Sequence, residues 1–337
     1  MKKSELQQAL EIVKPGLANK EIIEQSTSFA FIKNRVVTYN DEISISHPVK
    51  DLTIKGAVKA EELYKLLQKI NKEEIEIEIK ESEVLLKAGK GKAGLRLQEK
   101  ITLPLDEIPK IEEWQDLSET FTDQLQKVIW CTSNDMSQPI ITCIHVREDG
   151  FIEATDRFRL MQTQGEELPF TFLLPASAAQ QVIRMKPTQV ALSEEWVHFT
   201  NEEGTILSCR IFEDANFPKL TQVIDGVNGT KLTFPKRIID LVERAEIFGK
   251  AEFQTDGQIS IDIQKGKIIV KGESDVGWWE EKEKMDYKGE SIEFLMNPML
   301  FKDILKETNV GEIDKQFIKF VGENWIFVGC LIPKEEK

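Results

Sequence analysis

The side chains that could do chemistry in this sequence are its many acids, a few histidines and cysteines, and one glycine- and lysine-rich loop. With 58 Asp and Glu residues, a carboxylate pair of the kind that hydrolyses glycosides is conceivable, but no spacing selects a pair. Asp156, within Gly150-Phe151-Ile152-Glu153-Ala154-Thr155-Asp156-Arg157-Phe158-Arg159-Leu160, is the most motif-like acid. Its place at a strand turn predicts a structural role, with the carboxylate accepting from nearby backbone N–H groups. Gly89-Lys90-Gly91-Lys92-Ala93-Gly94 has the look of a phosphate loop, yet it joins two strand-like stretches and lacks a helix whose N-terminus would hold phosphate. It reads as a hairpin turn. A G-x-S-x-G elbow, a Walker loop and a G-x-G-x-x-G turn are all absent. Cys131, Cys143, Cys209 and Cys330 are scattered, and His47, His145 and His198 have no metal-ligand spacing, so zinc and disulfides are not expected and no cofactor is called for.

The chain of 337 residues is long enough for two or three cores. A hydrophobic content of 41% with 30% charged residues is that of an ordinary globular protein. No apolar run has the length of a membrane span, and the start at Met1-Lys2-Lys3-Ser4-Glu5-Leu6 leads into an amphipathic pattern without a signal-peptide core. A cytoplasmic protein without membrane partners is expected. The net charge of -14 argues against wrapping nucleic acid with the whole surface, so any DNA contact must be local.

What must position such groups is a threefold repeat of helix, strands, helix, strands, each copy about a third of the chain. Helical spacing of apolar residues predicts first helices over 4–14, 121–130 and 234–248, and second helices over 59–71, 175–186 and 298–308, two of these opened by Pro175 and Pro298. Strands are expected at 30–33 and 36–46, at 140–146 and 151–163, and at 258–263 and 267–271, with turns at Lys33-Asn34, Asp149-Gly150 and Lys265-Gly266. Exits with an apolar-Pro-Lys-apolar string, at 108–111 and 217–220, read as linkers. The expected fold class is α+β: two helices on antiparallel sheet, three times over, with domains at 1–114, 115–224 and 225–337.

On the second helix of the first copy, Leu63, Leu66, Leu67 and Ile70 form the buried stripe and leave Lys65, Lys69 and Lys72 aligned at i, i+4 and i+7. The other helices expose Lys3, Gln7 and Lys14; Gln124 and Lys127; Gln181, Arg184 and Lys186; Lys236, Arg237 and Arg244; and Lys302 and Lys306. A solvated lysine face is ordinary for one helix. Repeated six times against an acidic balance, it would line a channel and meet phosphates without reading bases, if the repeats close with their helices inside.

The string from Gly150 to Leu160 resembles the middle-domain signature of bacterial-type beta sliding clamps (DNA polymerase III beta subunits), an Ala-Thr-Asp-Gly-His-Arg-Leu string. Phe217-Pro218 resembles that family's link between second and third domains, residues 37–45 its first hairpin, 294–305 its last helix with the entry strand, and Leu331-Ile332-Pro333 its closing tail. The resemblance implies a divergent clamp, phage-encoded or otherwise, with no catalytic activity. It would be a head-to-tail homodimer whose ring encircles double-stranded DNA without sequence preference and tethers a replicative polymerase, with a clamp loader on the same face. Its setting would be the bacterial cytoplasm or nucleoid, or the host cytoplasm.

The family's cleft for partner peptides maps onto Thr155, Arg157, Phe158, Arg159, Leu160, Pro218, Val223, Asn297, Leu300, Leu331, Ile332 and Pro333. Arg157 and Phe158 stand where the family has Gly and His, and Leu300 where an aromatic is common. The basic residues on the helix faces that would turn toward DNA in such a ring are Lys3, Lys14, Lys65, Lys69, Lys72, Lys127, Arg184, Lys186, Lys236, Arg237, Arg244, Lys302 and Lys306. The ring-closing edges map onto Lys90, Lys92 and Arg96 against Glu280, Glu281 and Glu283, with Trp278 and Trp279 nearby for closure or for core packing. Two other readings remain: a clamp-like scaffold that binds proteins without encircling DNA, and a carboxylate-based hydrolase.

Overall fold

The computed structural model describes residues 1–111, 113–212, 217–249, 257–314 and 316–331. Among them are seven α-helices: α1 (Lys3–Val13), α2 (Ala60–Lys69), α3 (Phe121–Val128), α4 (Ala176–Met185), α5 (Leu220–Gly226), α6 (Ile238–Glu246) and α7 (Pro298–Glu307). The rest is antiparallel sheet and short 3-10 turns, an α+β architecture. The chain separates into two compact units, Met1–Gln126 with Cys143–Asp149 and Glu166–Ala215, and Lys127–Thr142 with Gly150–Gly165 and Asn216–Lys337.

The first unit holds an eight-stranded sheet in the order Gly56–Lys59, Ser28–Ile32, Arg35–Tyr39, Ile43–Pro48, Ile206–Arg210, Trp196–Thr200, Gln189–Leu192 and Gln115–Asp116. Its middle is a seam between repeats, where Ile43 to Ser46 pair with Cys209 to Ile206. α1 buries Leu6, Ala9, Leu10 and Val13, the i, i+3, i+4, i+7 stripe that makes its sequence a helix. Trp196 is buried with its ring 6.3 Å from that of Tyr39. A separate three-stranded sheet, Glu76–Lys80, Glu83–Ala88 and Gly91–Arg96, turns at Gly89, whose φ of +61° is the left-handed conformation a tight hairpin asks of glycine. The glycine-lysine loop is therefore a hairpin, as its flanks predict.

In the second unit the strands Phe151–Thr155, Arg159–Gln164, Trp325–Cys330, Phe317–Val321, Val310–Ile313 and Thr230–Thr233 pair in that order. The seam here is Arg159 to Thr163 against Gly329 to Trp325. A four-stranded sheet runs Gly277–Lys284, Lys267–Ser274, Ile259–Gln264 and Ile292–Met296. Ile259, Ile261 and Ile263 alternate inward beneath α6, and Gly272 is obligatory there because a Cβ would fall 1.8 Å from the Ala245 carbonyl oxygen. Four phenylalanines make the centre: Phe234 lies 5.5 Å from Phe301 and 5.8 Å from Phe320, and Phe320 lies 6.3 Å from Phe327.

Several expectations need correction. α6 begins at Ile238, not Phe234, because Phe234 is committed to the core. Residues 36–46 are two strands, folded back where the Asn40 side chain accepts from the N–H groups of Glu42 and Ile43 at 3.1 and 2.9 Å. Pro139–Thr142 is a 3-10 turn instead of strand, and Pro175 ends a strand, paired with Cys143, ahead of α4. α5 occupies the stretch that reads as linker. Gln124, expected on a solvent face, is buried.

His198 is fully buried, its two ring nitrogens 2.8 Å from Ser208 Oγ and 3.0 Å from Ser193 Oγ. Burial holds its pKa down to about 4, so the folded state prefers neutral imidazole. Its contribution is complete above the unfolded value near 6.5 and is lost as pH falls from there toward the folded value. Going from about pH 7 to about pH 5 is expected to cost on the order of 2 kcal/mol at this residue. Half-buried His47 shifts in the same direction, again through burial. Urea titrations at both pH values should show this loss, and His198→Gln should flatten it.

Candidate functional site

The sharp corner between the strands Phe151–Thr155 and Arg159–Gln164 is built by two polar side chains. Asp156 Oδ1 accepts from the N–H groups of Phe158 and Arg159 at 3.0 and 2.9 Å, and its Oδ2 takes Arg159 Nε at 2.8 Å. Thr155 Oγ1 donates to the Arg159 carbonyl at 2.8 Å and accepts from the Arg157 N–H at 3.1 Å. This geometry forces Arg157 to a φ of +78°, where glycine is at ease and a longer side chain is strained. The Cys330 N–H donates to the Phe158 carbonyl at 2.6 Å, tying the corner to the last strand. Both carboxylate oxygens of Asp156 are thus occupied, which makes it a structural acid, as its position in the sequence predicts.

The expected cleft residues divide between the two faces of this sheet. On one face Arg159 and the exposed Phe158 join Leu295, Met296, Asn297, Leu300, Phe327 and Gly329 around a depression of about 450 Å³. Asn297 caps α7, its side chain accepting from the Leu300 N–H at 3.0 Å. On the opposite face Leu160 packs with Leu220, Ile224, Val227 and Val328. Leu160, expected in the wall of an apolar pocket, is buried beneath α5. Thr155 is buried too, Pro218 and Val223 are exposed on the segment carrying α5, and Leu331 is half-buried with its N–H on the Gln316 carbonyl at 2.7 Å. Ile332 and Pro333 lie outside the described residues.

The thirteen basic groups are not equally free. Arg244 makes a two-pronged contact with Glu281 at 2.6 and 3.0 Å, and Arg237 reaches Glu283 at 3.2 Å. The Arg244 hydrogen bond lowers the Glu281 carboxyl below its ordinary range. Lys302 holds Glu246 at 2.5 Å and Lys306 holds Asp303 at 2.8 Å. Lys127 pairs with Glu307, and Lys65 with Glu61. Lys3 donates to the Ile70 carbonyl at 3.1 Å, and Lys14 lies 4.5 Å over the Tyr64 ring. Among the described residues Lys69, Lys72, Arg184, Lys186 and Lys236 are exposed and make no ion pair.

No protein-family model matches the chain. It is similar to the beta sliding clamp of Chlamydia pneumoniae, 21% identical over 322 residues that cover 86% of each chain. Among solved structures it superposes on the DNA polymerase III beta subunit from Thermotoga maritima with a TM-score of 0.78 at 18% identity, covering 99% of this chain and 98% of that one. A putative DNA polymerase III beta subunit from Eubacterium rectale gives a TM-score of 0.81 at 16% identity, with the same coverage. The chain has the beta-clamp fold.

Within this clamp fold the expected ring-closing strands are end strands. Gly91–Arg96 ends its three-stranded sheet with Lys90, Lys92 and Arg96 exposed, and Gly277–Lys284 ends its four-stranded sheet. Glu281 and Glu283 are engaged by Arg244 and Arg237, so two groups expected at DNA and two expected at a partner chain are paired with each other within the chain. Glu280, on the opposite face, sits 3.2 Å from Lys282. Trp278 and Trp279 are 64% and 38% exposed, which rules out the core-packing option for them.

Two substitutions test the corner. Asp156→Ala is expected to cost about 2 kcal/mol of unfolding free energy by stranding two N–H groups and Arg159. Arg157→Gly is expected to gain roughly 0.5–1 kcal/mol by relieving the positive φ. Denaturant midpoints read both.

Proposed function

We propose that this chain is a DNA polymerase processivity factor: two copies closing head to tail into a ring around duplex DNA, with a replicative polymerase tethered through a peptide cleft. The observation that carries this reading is the likeness to beta subunits over 99% of the chain at TM-scores of 0.78 and 0.81. In this reading the three repeats are clamp domains at 1–114, 115–224 and 225–337, and a clamp loader opens the ring. Such a factor works beside the DNA it serves, in the cytoplasm. No helix among the described residues is long and apolar enough to cross a membrane.

In this reading the clamp performs no catalysis. Burial pushes the Cys131 thiol up to about 12, far from thiolate, and the most motif-like acid is fully occupied by its own turn. Peptide binding would use the depression beside α7, with Phe158 and Leu300 supplying apolar surface and Arg157 a charged rim. Ring closure would add the exposed backbone edge of Gly277–Lys284 to that of Gly91–Arg96 in a second copy. Apolar contact and ladder hydrogen bonds would carry that closure, since exposed ion pairs add only about 0–1 kcal/mol each.

Negative-stain images of the purified protein should show open-centred rings with six lobes, or crescents from opened rings. Solid globules would end the clamp reading. Phe158→Ala should leave stability within about 0.5 kcal/mol and weaken binding of the cognate polymerase's clamp-binding peptide by about tenfold, on the order of 1.4 kcal/mol. Unchanged affinity would remove Phe158 from the cleft.

A further inference from the structure

The thirteen basic residues whose helix faces point to DNA differ in how they are held: in the first unit Lys65 pairs with Glu61, Lys3 bonds a backbone carbonyl and Lys14 lies over Tyr64, and the others divide by unit apart from Lys236. In the second unit Arg237, Arg244, Lys302, Lys306 and Lys127 each hold a carboxylate of the same unit, and Lys236 alone of this set makes no ion pair among the described residues. In the first unit the C-terminal ends of α2 and α4 carry Lys69 with Lys72 and Arg184 with Lys186, all exposed and none ion-paired among the described residues. Arg184 borders a groove of about 370 Å³ that also contains Glu11 and Glu203. Neither lies within ion-pair distance of it, and Glu11 already accepts from Gln7 and Tyr64 at 3.1 and 3.0 Å.

The distinction matters for a phosphate backbone. A free cation that meets a phosphate neutralises it and releases a condensed counterion, which is the source of both affinity and salt dependence. A cation already on a carboxylate must give up that partner, and the freed carboxylate then repels the same backbone. We propose that the contact of this clamp with duplex DNA is one-sided within each chain: the ends of α2 and α4 grip the phosphates through Lys69, Lys72, Arg184 and Lys186, while α6 and α7 present a self-neutralised surface along which DNA passes without being held. The inference rests on the proposed DNA-encircling function. In a protein with a net charge of -14, this division gives a local hold on DNA and leaves the remaining surface slippery.

The test measures the affinity of the full-length protein for a duplex over a range of salt. Replacing Lys69, Lys72, Arg184 and Lys186 with Gln is expected to reduce the slope of log K against log salt by about 3 to 4 for each chain that contacts the duplex, at roughly 0.9 per lost phosphate contact. Deleting whole pairs, Arg237→Gln with Glu283→Gln, Arg244→Gln with Glu281→Gln and Lys306→Gln with Asp303→Asn, should change it by less than about one. Gln at the exposed Lys20, Lys50, Lys55 and Lys110 matches the lost charge of the first set and should also leave the slope nearly intact. Equal slope changes in the first set and either of the others would overturn the inference while leaving a DNA-binding clamp. A wild-type protein with no salt-dependent DNA binding at all would instead refute the function on which the inference stands, and the inference with it.

Discussion

Everything in this molecule depends on what happens to the edges of its sheets. An antiparallel sheet ends in a row of unpaired N–H and C=O groups that must be paired, covered or left as a site for another strand. Here two such edges are used up inside each unit. Ile43–Pro48 pairs with Ile206–Arg210, and Arg159–Gln164 with Trp325–Cys330, so strands far apart in sequence share one sheet. That explains why the compact units cut across the sequence repeats. Gly91–Arg96 and Gly277–Lys284 are among the end strands of the two smaller sheets, each with one row of backbone groups that no strand among the described residues pairs.

The second seam also places the corner that carries the sequence signature. The Arg159–Gln164 strand begins at the Asp156 turn, and its alternation sends Leu160 to one face and Arg159 to the other. A single strand therefore contributes to a closed apolar cluster under α5 and to an open depression beside α7. The Cys330 N–H on the Phe158 carbonyl holds the corner against the closing strand, so a ligand in the depression would meet a preformed wall. The strain at Arg157, with a φ of +78°, is held by the surrounding hydrogen bonds. It also puts an exposed cation at the corner where the resembled family has glycine.

Much of this was legible from sequence because it is local. Helical stripes such as Leu6, Ala9, Leu10 and Val13 announce themselves at a period of 3.6, and Lys33-Asn34, Gly150 and Gly266 mark turns through their tolerance of positive φ. Asp156 was readable for the same reason, since an Asx turn involves only its next few residues. α5 was not, because seven residues are too few to show a period and its anchors Leu220, Ile224 and Val227 find their partners on a distant strand. The burial of Gln124 and Leu160 was hidden likewise: each is a one-residue question decided by which element lies overhead. So was the fate of Glu281 and Glu283, which depends on how near α6 lies to the Gly277–Lys284 strand.

That last closeness shows how packing alters electrostatics. Gly272 lets α6 settle onto its sheet, since any side chain there would strike the Ala245 carbonyl. The settled helix lays Arg244 and Arg237 over the adjacent strand, where Glu281 and Glu283 face them. A count of basic residues along helices would assign α6 a strong attraction for phosphate. Once the helix is packed, much of that charge is spent within the unit, and the acidic strand is no longer as acidic as its sequence reads. The same close approach therefore quiets two surfaces at once, one proposed to meet DNA and one proposed to meet a second chain. It leaves to α2 and α4, whose terminal cations make no ion pair among the described residues, the unbalanced positive charge that a polyanion can find.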